Sequence, residues 1–207
     1  MAAAVSLAAR AQSDVHAIDG DEFSEYWPHA QNDGLGAVHW FLWFCTNREL
    51  SADNTIQYKG KAFSALLHHF WYAVHVWEDW DMGAWEDKKA EHASSIAMAL
   101  VSLREQLKWM VDHSACFSYS SDNRSYEVTI KGVRQLLSKC EGRLKEILPS
   151  EFIRSEDKSI RRSDSALINP LFLAALSGQP LVDDEMTIKI IDAIEKDLMG
   201  KHGVMRY

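Results

Sequence analysis

The chain has 207 residues, of which 47% are hydrophobic and 25% charged, a composition that suits one globular domain with a real core. Its formal net charge of −8 provides no long-range attraction for phosphate backbones or anionic lipid, which argues against nucleic acid and membrane surfaces as partners. No apolar run approaches the roughly 20 residues that span a bilayer.

Met1 to Gln12 is rich in alanine and reads as a frayed N-terminus. Residues 1–17 are therefore a poorly defined lead-in, and 18–207 form the domain. Apolar residues recur at spacings of three and four, and alternating strand patterns are scarce, so the expected fold class is all-α. Gly36 to Cys45 reads as a buried aromatic helix. Gly60 then leads into a helical stripe of Phe63, Leu66, Leu67, Phe70, Val74 and Trp77. A turn is expected around Asp81-Met82-Gly83. The next helix is expected from about Glu86 to His113, with Ile96, Leu100, Leu103, Leu107 and Met110 on one face.

Ser114 to Ser125 reads as a loop, with a small hairpin through Tyr119, Tyr126, Val128 and Ile130 as the alternative. Val133, Leu136, Leu137, Cys140, Leu144 and Ile147 make an amphipathic helix that Pro149 ends. Glu151 to Ser163 is charged and irregular. A helix from about Ser165 to Leu176 stops at Gly178. The last helix opens with Asp183, Asp184 and Glu185, acidic residues suited to a helix N-terminus. It carries Ile188, Ile191, Ile194 and Leu198 and stops at Gly200. About six helices follow one another in series. Pattern alone leaves bundles, solenoids and α/α barrels open.

Cys45, Cys116 and Cys140 are odd in number and far apart, with no CxxC pair, which supports neither a disulfide framework nor a zinc ribbon. Cys45 and Cys140 read as small buried hydrophobes, and the cytoplasm is the default compartment. His68, His69 and His75 share one expected helix, but no pair has the four-residue spacing of a metal motif, so no metal and no cofactor is expected. Eight tryptophans, most of them between Trp27 and Trp85, serve either core packing or stacking on the apolar faces of sugar rings.

Two segments concentrate groups able to do chemistry. Trp77-Glu78-Asp79-Trp80-Asp81 sets three carboxylates between and beside tryptophans. Apolar walls and neighbouring carboxylates both favour a neutral, protonated carboxyl, which is what a general acid in glycoside hydrolysis requires. The plain alternative is a solvated acidic loop. Trp27-Pro28-His29-Ala30-Gln31-Asn32-Asp33-Gly34 combines an aromatic, amides and a carboxylate ahead of a buried helix. Asp33 is suited either to capping that helix or to forking hydrogen bonds to two sugar hydroxyls.

Three segments together resemble the glucoamylase-type glycoside hydrolases of family 15. WPHAQNDG at Trp27 to Gly34 resembles their W-x-x-x-Q-x-D segment. WEDWDMGAWEDKKAEHASS at Trp77 to Ser95 resembles their W-E-[ED] segment and the helix after it. DSAL at Asp164 to Leu167, with GVMRY at Gly203 to Tyr207, resembles a third block that leads to an R-Y pair. The order is the family's, and the style is closest to bacterial members and to the glucoamylase-like domain of phosphorylase kinase α and β subunits.

The resemblance covers about Ile18 to Tyr207. It implies an (α/α)6-barrel-like helical toroid, with about half of the barrel present. It implies exo-acting, inverting hydrolysis of α-glucosidic bonds, with an α-glucoside or oligosaccharide as ligand. Glu78 matches the general acid, Asp79 its acidic neighbour and Trp77 the flanking aromatic. Asp33 matches the carboxylate that binds the terminal glucose, with Trp27 nearby, and Arg206 matches the substrate-binding arginine. Asn32 stands where many fungal members carry Arg, and no residue matches the family's general base. Half a barrel is expected to self-associate or to need a complementary half-domain. The resemblance also implies a second reading, a non-catalytic regulatory or sugar-binding domain as in the kinase subunits, and a third, a truncated gene product.

Overall fold

The computed structural model describes residues 32–48, 55–58, 61–64, 81, 83–84, 89–121, 124–150, 152–154 and 163–205. Among these residues the chain is mostly helical, with five α-helices and four two-stranded antiparallel pairings. The helices are α1 (Asn32–Thr46), α2 (Ala93–Asp112), α3 (Ile130–Ile147), α4 (Ile168–Leu176) and α5 (Asp184–Leu198). The strands are β1 (Thr55–Tyr58), β2 (Lys61–Ser64), β3 (Glu91–His92), β4 (Phe117–Ser121), β5 (Arg124–Val128), β6 (Ile153–Arg154), β7 (Met199–Gly200) and β8 (Gly203–Val204).

Helix α2 is the central element. Fourteen of its twenty residues are buried, including Ile96, Leu100, Leu103 and Met110. A helix buried nearly all round must be walled in by others. Helices α1, α3 and α4 all pack against it. Gly36 lets α1 approach closely, since a Cβ there would lie 2.8 Å from the Cβ of Met98. Farther along, the Asn47 side chain donates to both the backbone and the carboxylate of Glu105, at 2.9 and 2.6 Å. Residues 36 and 47 thus meet residues 98 and 105 in the same order, so α1 and α2 run parallel. Helix α4 runs the same way: Asp164, just before it, bonds Ser94, and Pro180, just after it, accepts from Arg104 at 2.7 Å.

The other two helices run back. β3, at the head of α2, pairs with β6, which follows α3. The end of α3 therefore lies beside the start of α2. The tail of α5 likewise lies beside the approach to α4, where Ser163 Oγ donates to Asp197 Oδ2 at 2.6 Å. The result is one layer of three parallel helices and two helices that return. Arg143 of α3 ties that helix to the head of α2 with a bidentate pair to buried Glu91, at 2.5 and 2.7 Å.

Helix ends follow local chemistry. Thr129 Oγ1 accepts from the Gly132 amide at 3.0 Å and opens α3. Asp183 Oδ1 accepts from the Met186 amide at 2.8 Å and opens α5, so the expected acidic start is a true N-cap. Gly178, at φ 72°, ends α4 in the left-handed region that glycine favours.

Three sequence expectations are corrected. Helix α2 begins at Ala93, seven residues later than Glu86, because Ala90 pairs with Asp81 and Glu91–His92 pair with residues 153–154. Strand pairing claims those backbone groups before a helix can. Phe63 lies in β2 and not in a helical stripe, because residues 61–64 pair in antiparallel register with 55–58. The rest of that stripe lies outside the described residues. Phe117–Ser121 pair antiparallel with Arg124–Val128, in line with the alternative reading of that stretch, while Ile130 opens α3.

The described tryptophans pack. Trp43 is fully buried, its ring 5.6 Å from Trp109 and 6.3 Å from Phe117. Trp40 lies 4.6 Å from Phe44 and donates to Ser177 Oγ at 3.0 Å. Cys140 is fully buried, and burial pushes its thiol up to about 12, while Cys45 is half-buried and Cys116 exposed. No described helix is long and apolar enough to cross a membrane.

Candidate functional site

The N-terminal turns of the three parallel helices meet at one end of the layer. Each carries or contacts an aspartate, which suits the partial positive charge of unpaired amides there. Asp33 lies in the first turn of α1. Asp81 is buried, and its Oδ2 accepts from the Asn32 amide that opens α1 and from the Ser95 hydroxyl in the first turn of α2, both at 2.8 Å. One carboxylate thereby joins two helix starts.

Asp164 repeats the arrangement one helix on. Its Oδ1 accepts from the Ala166 amide at 2.9 Å, capping a 3-10 turn at Ser165–Leu167 that runs into α4. Its Oδ2 accepts from Ser94 Oγ at 3.2 Å. Ser94 and Ser95, which fall inside the helix expected from Glu86, instead open α2 and tie it to both neighbours. Asn32, Ser94, Ser95, Asp81 and Asp164 are all buried, so these charge-assisted bonds work in a low dielectric.

The turn that delivers Asp81 depends on glycine. Gly83 has φ 62° and packs on the His92 ring, where a Cβ would come within 2.7 Å of the imidazole. A side chain there would meet both backbone strain and a steric clash.

A cavity of about 250 Å³ opens beside this network. Asp33 and Ala37 of α1, Ser94 and Met98 of α2, and Asn169 and Phe172 of α4 line it, with Ala84 and Ala166. Among the described lining residues most groups are apolar, with one carboxylate, one hydroxyl and one amide, a composition compatible with a small ligand held by a few polar groups. Among the described residues no cluster of His, Cys, Asp and Glu is arranged to hold a metal ion.

Of the site residues expected from sequence, Asp33 lies in the pocket wall. Trp27, Trp77, Glu78, Asp79 and Arg206 fall outside the described residues, as do His68, His69 and His75. The sequence marks Asp81 as one of three clustered carboxylates without a role of its own, and it does not single out Ser94, Ser95, Asp164, Asn169 and Phe172 as site residues. The order Asp-Ser-Ala-Leu ahead of an apolar helix was the one available signal, since it is an N-cap pattern. Comparison with family models, with curated proteins and with solved structures finds no match to this chain.

Burial holds the Asp81 carboxyl above the usual carboxylate range, and the His92 imidazole, the Asn32 and Gly83 amides and the Ser95 hydroxyl oppose this without overcoming it. A carboxyl raised in this way binds its proton more tightly folded than unfolded. The stability it contributes is fully present below the unfolded value, near about pH 4, and is lost as pH rises through the folded one. Asp81→Asn keeps an acceptor oxygen but removes the titration. Urea denaturation across pH should show the wild type losing stability relative to this variant as pH rises above about 4, then levelling off. A difference that is constant, or that grows in favour of the wild type, contradicts this assignment.

Proposed function

We propose that this chain is a glucoamylase-like domain of glycoside hydrolase family 15 that binds the terminal glucose of α-glucosides or oligosaccharides in the Asp33 pocket. The observation that carries the reading is convergence. The three segments that resemble the family are far apart in sequence, yet Asn32-Asp33, Asp81 with Ser94-Ser95, and Asp164 to Ala166 are joined by buried hydrogen bonds around one cavity. From α2 to α5 the described helices alternate in direction, the order that part of an (α/α)6 toroid would supply, which supports that architecture.

In this reading Asp33 forks hydrogen bonds to two hydroxyls of the terminal glucose, assisted by Trp27 and Arg206. Glu78 is the general acid. Trp77 keeps water from it, and the neighbouring Asp79 disfavours its ionised form, so that it holds a proton for the leaving oxygen. Inversion also needs a base about 6.5–9.5 Å from the acid, to activate water on the opposite face of the sugar. No residue of this sequence matches that base. This favours the second reading, a regulatory sugar-binding domain like that of the phosphorylase kinase subunits, for the 207-residue chain acting by itself. The acidic balance fits a neutral ligand, with neither nucleic acid nor membrane as partner, and the absence of a disulfide pattern fits the cytoplasm.

Calorimetric titration with maltose, run beside a glucose-release assay, tests the reading. Saturable binding without glucose release is expected, weakened at least tenfold (about 1.4 kcal/mol) in Asp33→Asn. Glucose release that disappears in Glu78→Gln would show that the chain contains its own base. No binding by the folded chain would overturn the sugar reading.

A second copy or a complementary half-domain covers the outward face of α1, where Val38 and Phe41 are 52% and 59% exposed. Sedimentation velocity should show concentration-dependent association that Phe41→Glu reduces. A wild-type chain that stays monomeric at high concentration would contradict self-association.

A further inference from the structure

The first two turns of α4 have no role in the functional reading above, yet they form one wall of the pocket. Their sequence is Ile168-Asn169-Pro170-Leu171-Phe172-Leu173. Pro170 and Ala174 are buried toward α2. Asn169 and Phe172, three residues apart, therefore share a different stripe of the helix, and both line the cavity. Phe172 is 63% exposed. A large flat ring left in water on a pocket wall is available to a ligand, and its neighbour one turn earlier offers an amide that both donates and accepts.

We propose that Phe172 and Asn169 form the platform on which the ligand's sugar ring lies, with Phe172 stacking on the apolar face of a neutral pyranose and Asn169 bonding a hydroxyl at its edge. The inference rests on the sugar-binding reading of the Asp33 pocket and adds the residues that select the shape of the ring. A pyranose suits the chemistry of the lining. It presents C–H groups on its faces, which an aromatic ring accepts, and hydroxyls around its rim, which a carboxylate and an amide bind. An anionic ligand would meet the Asp33 carboxylate, and among the described lining residues none is a cation. A cavity of about 250 Å³ admits one ring rather than an extended chain, so the platform recognises a single terminal residue of the saccharide.

The test is maltose titration of the wild type, Phe172→Leu, Phe172→Tyr and Asn169→Ala, each checked by thermal unfolding. Phe172 is exposed, so Leu should leave the fold intact while removing the flat face, and Tyr restores that face. The expected result is a loss of at least fivefold in affinity for Phe172→Leu, recovery in Phe172→Tyr and a several-fold loss for Asn169→Ala. Wild-type binding that is unchanged in Phe172→Leu and Asn169→Ala overturns the platform and leaves the Asp33 reading standing. A folded wild type that does not bind maltose overturns both.

Discussion

Two buried aspartates hold this fold together at one end. Asp81 draws the starts of α1 and α2 onto a single carboxylate oxygen. Asp164 joins α2 and the turn entering α4 through its two carboxylate oxygens, Oδ2 to Ser94 and Oδ1 to the Ala166 amide. A buried charge is costly unless its lone pairs are occupied. Here the unpaired amides and first-turn hydroxyls of helix N-termini occupy them, groups that would otherwise need partners of their own. The parallel layer and the pocket at its end both follow from this exchange. So does the close packing that Gly36 and Gly83 permit, because helices tied at their starts leave little room for a Cβ.

How much of this was legible in the sequence depended on the range of the determining contact. Helices α1, α3 and α5 are readable because their signals are local: an apolar stripe, a Thr129 or Asp183 cap, a closing Pro149 or Gly200. The start of α2 was misplaced because Glu91–His92 is extended only through pairing with residues 153–154, about sixty residues away. Phe63 fits a helical stripe as well as a strand, and only the register of 55–58 with 61–64 decides between them.

The site divides in the same way. Asp33 stands out because a carboxylate ahead of a buried helix is a local pattern. Ser94, Ser95 and Asp81 could not be joined by spacing, since the bonds that give them meaning cross from one helix start to another. Asn169 and Phe172 look like ordinary helix residues until the cavity shows which face they take. The proposed resemblance to glucoamylase-type hydrolases draws its support from position: Asn32, Asp81, Ser94, Ser95, Asp164 and Ala166, the described members of its segments, share one hydrogen-bond network. The described residues form the cavity to which we assign a neutral ring, and the proposed acid, Glu78, lies outside them.

The most direct test of a single composite site is hydrogen exchange read by mass spectrometry, with and without maltose. The account predicts that peptides covering the first turns of α1, α2 and α4 gain protection together on adding the sugar, because one ligand touches three helix starts that share two carboxylates. Protection confined to one of the three, or none in a folded chain, would contradict it.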